Sequence, residues 1–486
     1  MAETTSIRQP NLLLAVTPIV LTLGVLGLQL FYFGDFTPHI PLAIGIAISA
    51  IVGIYLGHDW FSIQRGAFHV INVSLPSVSV LILVGMIIGV WIASGTVPTL
   101  IYYGLVILEP EIFLAATLIT CSMVSISLGT SWGTVGTVGL ALMGIGLGFG
   151  IPAYWTAGAV VSGAFFGDKI SPLSDTTNLA PAVTGTSLFD HIRNLIPTTG
   201  PAMLIALVIY SVVGFTLFGT DTESMQRVEA ITTALQANFN ISIWTLIPAI
   251  LVIALAVTKN PPLPSLFIGA AIGGCLAMLL QGNTLHEVFT FANSGYEIST
   301  GVSEVDGLLN KGGIQSMMWT ISLVLLALAL GGVLEKIGCL QALMSTIISR
   351  VKSLAGIQAS ATGAAITTNL VAGDPYLSIA LPGRMFAPVY RGMGYSTLNL
   401  SRAIEEGGTL ISPLIPWNAG GVLVITTLSL NIGENPINLL YIPLAFACWL
   451  SPIIGVSYAI FGIFSPKASD QEKQDWVTNE EEILQR

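Results

Sequence analysis

Eight residues that can bind a cation or carry a proton crowd into one short stretch: Asp168, Lys169, Ser171, Ser174, Asp175, Thr176, Thr177 and Asn178. They interrupt an apolar run that ends in Phe165 and Phe166 and breaks at Gly167. An ionised carboxylate at the centre of a bilayer costs at least ~2.5–3.5 kcal/mol, which makes Asp168 and Asp175 functional candidates by default. A hard cation needs several oxygen ligands. Carboxylates, hydroxyls, amide oxygens and the carbonyls of a broken helix supply them, so the stretch predicts sodium at Asp175, Thr177 and Asn178, with Asp168, Ser171 and Thr176 as further ion or proton ligands. A proton needs only a carboxylate whose charged form is disfavoured by burial. If a sodium ion and protons compete for the same one or two carboxylates, loading one expels the other.

A second candidate set lies about half a chain away: Asp374, Glu405, Glu406, Thr409, Ser412 and Asn418. Thr130, Ser131 and Thr134, in the glycine-rich run Gly129 to Gly139, are predicted to line the substrate path. Structural readings stand beside these. Asp168 and Lys169 could form an ion pair at a helix break, one of Glu405 and Glu406 could pair with Arg402, Asp374 could cap a hairpin turn, and the glycines could serve close helix packing. His39, His58, His69, His191 and His286 fall in loops or at span ends and read as surface residues, His191 beside Asp190 and Arg193 being the one that could sense pH. Cys121, Cys275, Cys339 and Cys448 stand singly in or beside apolar runs and read as small hydrophobes.

The elements that hold these residues follow from composition. Of 486 residues 53% are hydrophobic and 9% charged, against about 25% charged in a soluble domain. The chain is therefore an all-α polytopic membrane protein; a membrane β-barrel would show short alternating segments instead. Ten spans are drawn at 11-33, 40-57, 75-95, 153-189, 199-218, 242-258, 262-280, 314-335, 403-430 and 437-464, the fourth and ninth interrupted. Pro172 and Pro181 lack amide donors and clash with the preceding turn, so the fourth unwinds. The pairs 111-129 with 134-150 and 355-371 with 375-383 read as re-entrant hairpins, which need protein or a wet cavity around their irregular backbone.

Lysine and arginine in the short loops set orientation. Arg8, Arg65, Arg193, Lys259, Arg350, Lys352, Arg384, Arg391, Arg402 and Lys467 fall on one side, which places both termini in the cytoplasm. Asp35, Glu109, Glu111, Asp221, Glu223, Glu229, Glu297, Glu304, Asp306 and Glu434 fall on the other, with Arg227 and Lys311 as exceptions. The chain also repeats itself: Ile170-Ser171-Pro172-Leu173 recurs as Ile411-Ser412-Pro413-Leu414, Gly129 matches Gly373, and Gly89 and Gly95 match Gly332 and Gly338, all at offsets of about 240 residues. Each half has five spans, so the second copy must be inverted relative to the first. The units are 1-220, with hairpin 111-150, a linker at 221-241, then 242-464, with hairpin 355-383, and an acidic tail at 465-486 that reads as solvated. Inverted repeats with helices interrupted at the midplane mark secondary transporters.

Enzyme motifs fail on single residues. An intramembrane G-x-G-D protease would need glycine where Phe165 stands, a G-x-S-G protease would need it where Ile92 stands, and H-E-x-x-H fails because Thr290 follows His286-Glu287. A P-loop is absent too, so ATP-driven transport within this chain is unsupported.

Four blocks, GTSWGTVGTVGLALMGIG from Gly129, SGAFFGDKISPLSDTTNLAPAV from Ser162 with LFDHIRNLIPTT from Leu188, GDPYLSIALPGRMF from Gly373 and EEGGTLISPLIPWN from Glu405, together resemble the NhaC family of sodium/proton antiporters. The resemblance implies a bacterial or archaeal inner-membrane carrier, in a group whose members share inverted repeats and re-entrant hairpins. Some relatives couple sodium and protons to organic anions, notably in malate/lactate exchange. The expectation is a carrier, not an enzyme, that exchanges sodium for protons by alternating access. An organic-anion exchanger is the alternative, and a channel or intramembrane enzyme a more remote one. No cofactor and no nucleic acid are expected; the partners are sodium, protons and the lipid bilayer, and a homodimer is one assembly open to it.

Overall fold

A computed structural model describes residues 7–33, 37–219, 222–258, 260–428, 430, 439–474 and 476. Several charges used above for orientation, among them Asp35, Asp221, Lys259, Glu434 and the acidic end of the tail, lie outside the described residues. Among the described residues the chain is helical throughout and contains no strand, only an isolated bridge between Tyr395 and Lys467. Among the described residues six helices are long and apolar enough to cross a membrane: Pro110–Leu128, Ser131–Gly148, Leu188–Leu217, Pro262–Gln281, Ile314–Lys336 and Thr397–Thr427. Two bent pairs raise the number to eight, one turning by 43° after Pro76 and one by 92° between Ser224–Asn238 and Ile243–Val257. Leu204, Val208, Val212 and Phe215 form an exposed stripe along Leu188–Leu217. That is an apolar face suited to lipid.

The interruption in the fourth predicted span is present. Helix Ala153–Ile170 ends at Ser171, and a new helix, Asp175–Thr184, starts after Ser174, whose hydroxyl accepts the Thr177 amide as an N-cap. The second interruption is longer. Helix Thr397–Glu405 widens into a π-turn at Glu406–Leu410, passes through a short 3₁₀ turn at Ser412–Leu414, and resumes at Ala419–Thr427 with Asn418 as the cap. Proline at 413 and 416 denies donors to the preceding turns, which is why the helix does not run through.

Each break is held by the tip of a hairpin. The first hairpin joins Pro110–Leu128 to Ser131–Gly148 through Gly129, whose φ of 66° no β-carbon tolerates easily, and Thr130, an extended N-cap. The second joins Leu354–Ala372 to Pro375–Gly392 through Gly373 (φ 63°) and Asp374, again an extended N-cap. Gly129 lies against the backbone of Leu173 in the first break. The carbonyl of Gly373 accepts the Ala419 amide at 2.9 Å, and Trp417 Nε1 donates to Leu370 O at 2.7 Å, so the second tip grips the second break in a similar way. Helix Ala153–Ile170 packs on Pro110–Leu128 at backbone distance, because Gly163 and Gly167 face the carbonyls of Leu118 and Ser122. Ser125 Oγ adds a 2.6 Å hydrogen bond to Ala164 O in the same seam.

Further features add to the sequence expectation or differ from it. The arms of the first hairpin have 19 and 18 residues, which at about 1.5 Å per residue approaches the thickness of the hydrocarbon core. Five helices escaped the hydropathy reading: Thr96–Ile107, Thr222–Asn238, Leu285–Ser294, Ser303–Leu309 and Cys339–Ile348. Most of the stretch expected as a linker at 221-241 is therefore helix. The start of the tail is docked, not free: Glu472 Oε1 accepts from Ser396 Oγ, the Thr397 amide and Thr397 Oγ1 at 3.0, 2.9 and 3.2 Å, at the N-terminus of Thr397–Glu405. A carboxylate there meets unpaired amides and the positive end of the helix dipole. Of the cysteines, three are buried and Cys275 is exposed.

Candidate functional site

Both hairpin tips and both helix breaks converge on one small polar chamber. Gly129 to Trp132 come from the first tip, Asp168 and Ser174 to Thr176 from the first break, Pro375 and Tyr376 from the second tip, and Thr409 and Ser412 from the second break. Val80 closes one side. Water centres have about 40 Å³ within it, room for about three waters at 10–15 Å³ each. Two carboxylates face this space. Asp168 Oδ2 accepts from Ser131 Oγ at 3.0 Å, and Asp175 Oδ2 accepts from the Tyr376 hydroxyl at 2.8 Å. Among the described residues no lysine or arginine is part of the lining.

Immediately behind the chamber is a buried charge cluster. Lys169 Nζ donates to Thr176 Oγ1 at 2.6 Å, stands 3.6 Å from Asp168 Oδ2, and forms a close ion pair with Glu405 Oε1. Thr409 Oγ1 donates to the same Glu405 oxygen at 3.0 Å. Lys169 and Glu405 are fully buried and tie the first break to the second across 236 residues. Burial of both charges is tolerable because each satisfies the other and a hydroxyl joins each.

The residues singled out from sequence fall into distinct places. Asp168, Asp175, Thr176, Thr130, Ser131, Thr409 and Ser412 share the chamber. Thr177 is buried beside it, its hydroxyl donating to Asp168 O at 3.1 Å, and Asn178 uses its amide to brace Pro172 O and Ser174 O at 2.9 and 2.7 Å. Of the predicted sodium trio only Asp175 therefore lines the chamber. Ser171 donates to Ile126 O, and Thr134 folds back onto Thr130 O. Asp374 accepts the Leu377 amide at 2.8 Å, the capping role set out as its structural alternative. Asn418 caps Ala419–Thr427 and donates to Asn369 Oδ1 at 2.9 Å.

Glu405 and Glu406 diverge, as consecutive helical residues must. Glu406 faces Phe446–Phe461, where Ser451 Oγ donates to its Oε1 at 3.1 Å. Neither glutamate forms an ion pair with Arg402, which is buried and donates to Phe464 O at 2.9 Å; it is no loop cation. His191 is also fully buried, with Nδ1 2.9 Å from Ser401 Oγ, so it is not a surface histidine. Sequence reasoning missed Tyr376 and Asn369 as site residues, and Lys169 as the counter-ion of Glu405. Tyr376 stands two residues after Asp374 at a tip already read as a turn, and that position was the available signal.

Broken helices meeting at a small carboxylate-lined chamber, in a fold with lipid-suited faces, define a polytopic integral membrane protein built like an ion carrier. The sequence profile of the Na+/H+ antiporter family matches residues 13–177 and 163–463. The Na(+)/H(+) antiporter NhaC of Alkalihalophilus pseudofirmus is 41% identical over 427 residues, 88% of this chain and 90% of that one. The malate-2H(+)/Na(+)-lactate antiporter of Bacillus subtilis is 37% identical over 92% of this chain and 94% of its own length. The arginine/ornithine antiporter ArcD of Halobacterium salinarum is 33% identical over 96% of each. The chain belongs to the Na+/H+ antiporter family, in its NhaC branch.

Proposed function

We propose that the protein exchanges sodium ions for protons across a prokaryotic cytoplasmic membrane, with Asp175 and Asp168 as the groups that the two cations share. The observation that carries this reading is the chamber itself. It offers two carboxylates and the hydroxyls of Thr130, Ser131, Thr176, Thr409 and Ser412, and it holds about 40 Å³ of water-centre space with no cation in its wall. A partly hydrated sodium ion fits that space. Its charge is matched by carboxylates that, when the ion leaves, can take protons instead. Ser131 and Tyr376 orient one carboxylate each, so that neither rotates away when it is discharged. No covalent step and no cofactor enter the cycle.

The recurrence of a glycine-turned hairpin tip gripping a helix break, about 240 residues apart, supports two inverted repeats with the boundaries 1-220 and 242-464. Alternating access would then follow from rocking one repeat against the other around a fixed chamber. Arg8, Arg65, Arg193, Arg350, Lys352, Arg384, Arg391 and Lys467 support a cytoplasmic position for both termini.

The similarity to a malate/lactate exchanger supports a second reading, in which an organic anion accompanies the cations. The size of the chamber and the lack of a lining cation favour the simpler exchange. Reconstitution decides between them. Sodium-driven proton flux in liposomes free of malate, lactate and amino acids is the expected result; flux that appears only when one of these is added would establish the second reading.

A further inference from the structure

A second group of buried polar side chains lies off the chamber, between Leu188–Leu217, Thr397–Glu405 and Phe446–Phe461, and the exchange reading above leaves it without a role. Glu406 is fully buried, with Oε1 held by Ser451, the Thr198 hydroxyl beside the carboxylate, and Oε2 without a close hydrogen bond among the described residues. Its Oε2 lies over Gly455, where a side chain would occupy the same space. Arg402, one turn earlier, is likewise fully buried. Its Nη1 donates to Phe464 O and reaches Asn194 O, while Nε and Nη2 have no partner among the described residues. From the facing helix comes His191, whose Nδ1 meets Ser401 and whose Nε2 is unpartnered. Tyr390 and Tyr458 close the group, with Tyr390 Oη donating to Gln358 Oε1 at 2.8 Å.

Buried polar groups are nearly always paired, with protein or with ordered water. Unpaired atoms on Arg402 and Glu406, which feel each other's charge, therefore call for water between them, and His191, beside Ser401 and within the field of Lys169, flanks the inner end. Arg402 lies beneath the segment at 464–472, bonded to Phe464 O, and Asn399 Nδ2 and the Ser396 amide bond Pro466 O of the same segment. At the inner end, Glu405 Oε2 is also unpartnered, while Glu405 Oε1 holds Lys169, which holds Thr176 of the chamber wall. The π-turn that begins at Glu406 is the kind of local widening often found at functional sites.

We propose that Arg402, His191 and Glu406 line a hydrated proton route from the face that carries the C-terminal segment, and that this route joins the ion chamber through Glu405, Lys169 and Thr176. It rests on the exchange reading of the chamber. A proton arriving from bulk water binds Glu406 Oε2 and passes through bridging water to Glu405 Oε2. The protonated Glu405 carboxyl turns to present that proton to Lys169 Nζ as Lys169 gives one of its own to Thr176 Oγ1, and the Thr176 hydroxyl releases its proton to the chamber carboxylates. One proton moves inward and every relay group regains its starting state. Carboxylate and histidine chains are the usual form of such relays within membranes.

The test is Glu406→Gln in proteoliposomes, read by two fluxes. Tracer sodium exchanged for sodium needs no proton and should equal wild type. Sodium-driven proton flux should fall by about 100-fold, the scale on which a positioned proton-transfer group acts. His191→Gln reads the route from the opposite helix and should lower proton flux alone, by a smaller factor, whether or not Glu406→Gln can be purified. Equal loss of both fluxes in these variants would make the cluster structural and overturn the proposal, as would full proton flux in both. Absence of sodium/sodium exchange in the wild type would instead refute the exchange reading.

Discussion

Lys169 is the residue on which the junction between the two breaks depends. Its ammonium meets Glu405, Thr176 and Asp168 with no exposed surface. Lys169→Met keeps the length and apolar stem but strands the buried Glu405 carboxylate without its counter-ion. Removing one member of a buried ion pair costs about 3–5 kcal/mol, because the remaining charge is left uncompensated. Replacing both members by apolar groups of similar volume is far less costly, so Lys169→Met combined with Glu405→Leu should recover about 2–3 kcal/mol of the loss as a coupling energy. Reversible unfolding in mixed micelles, followed by tryptophan fluorescence, measures all three proteins. A single variant within about 1 kcal/mol of wild type, or a double variant that loses the sum of the two single losses, would refute the claim that this pair is buried and mutually compensating.

Tyr376→Phe removes the 2.8 Å donor to Asp175. A hydrogen bond to a charged group contributes ~1.5–3 kcal/mol, so the sodium concentration for half-maximal exchange should rise by roughly 10- to 100-fold in everted vesicles, with little change in protein level. Gly167→Val drives a side chain into Ser122 O and Ser125; the overpacked seam should cost ~1–3 kcal/mol or more, seen as a lower melting temperature in detergent. Lys311 sits outside the spans, between Ser303–Leu309 and Ile314–Met317, where burial pulls its ammonium from 10.5 down to about 8. The folded form thus binds fewer protons than the unfolded one between those values, and its penalty, about 3 kcal/mol, is fully present below pH 8. Lys311→Met should therefore stabilise the protein at pH 7, and the gain should vanish by about pH 10.5 in unfolding curves taken across that range.

The breaks were legible in the sequence because proline and a run of hydroxyl and acidic side chains are costly in a continuous apolar helix, as at Pro172 and Pro413. The hairpin tips were legible for a similar reason, Gly129-Thr130 and Gly373-Asp374 each pairing a left-handed position with a capping side chain. What one chain read in order could not show is which distant charges meet. Lys169 pairs with Glu405, 236 residues away, while Arg402, only three residues from Glu405, turns to the carbonyl of Phe464. Local spacing favoured Arg402; the burial that pairs Lys169 instead is a property of the packed breaks. His191 was misread because its neighbours Asp190 and Arg193 are polar, although the helix turns its imidazole inward against Ser401. The unseen helices, such as Thr222–Asn238 and Leu285–Ser294, are too polar or too short for a hydropathy window.

Asp175→Asn tests the central claim most directly. It keeps the shape of the side chain and removes the charge that sodium and protons are held to share. Sodium-dependent proton movement in everted vesicles should be abolished while the protein level stays normal; exchange near the wild-type rate in this variant would contradict the assignment of the chamber as the ion site.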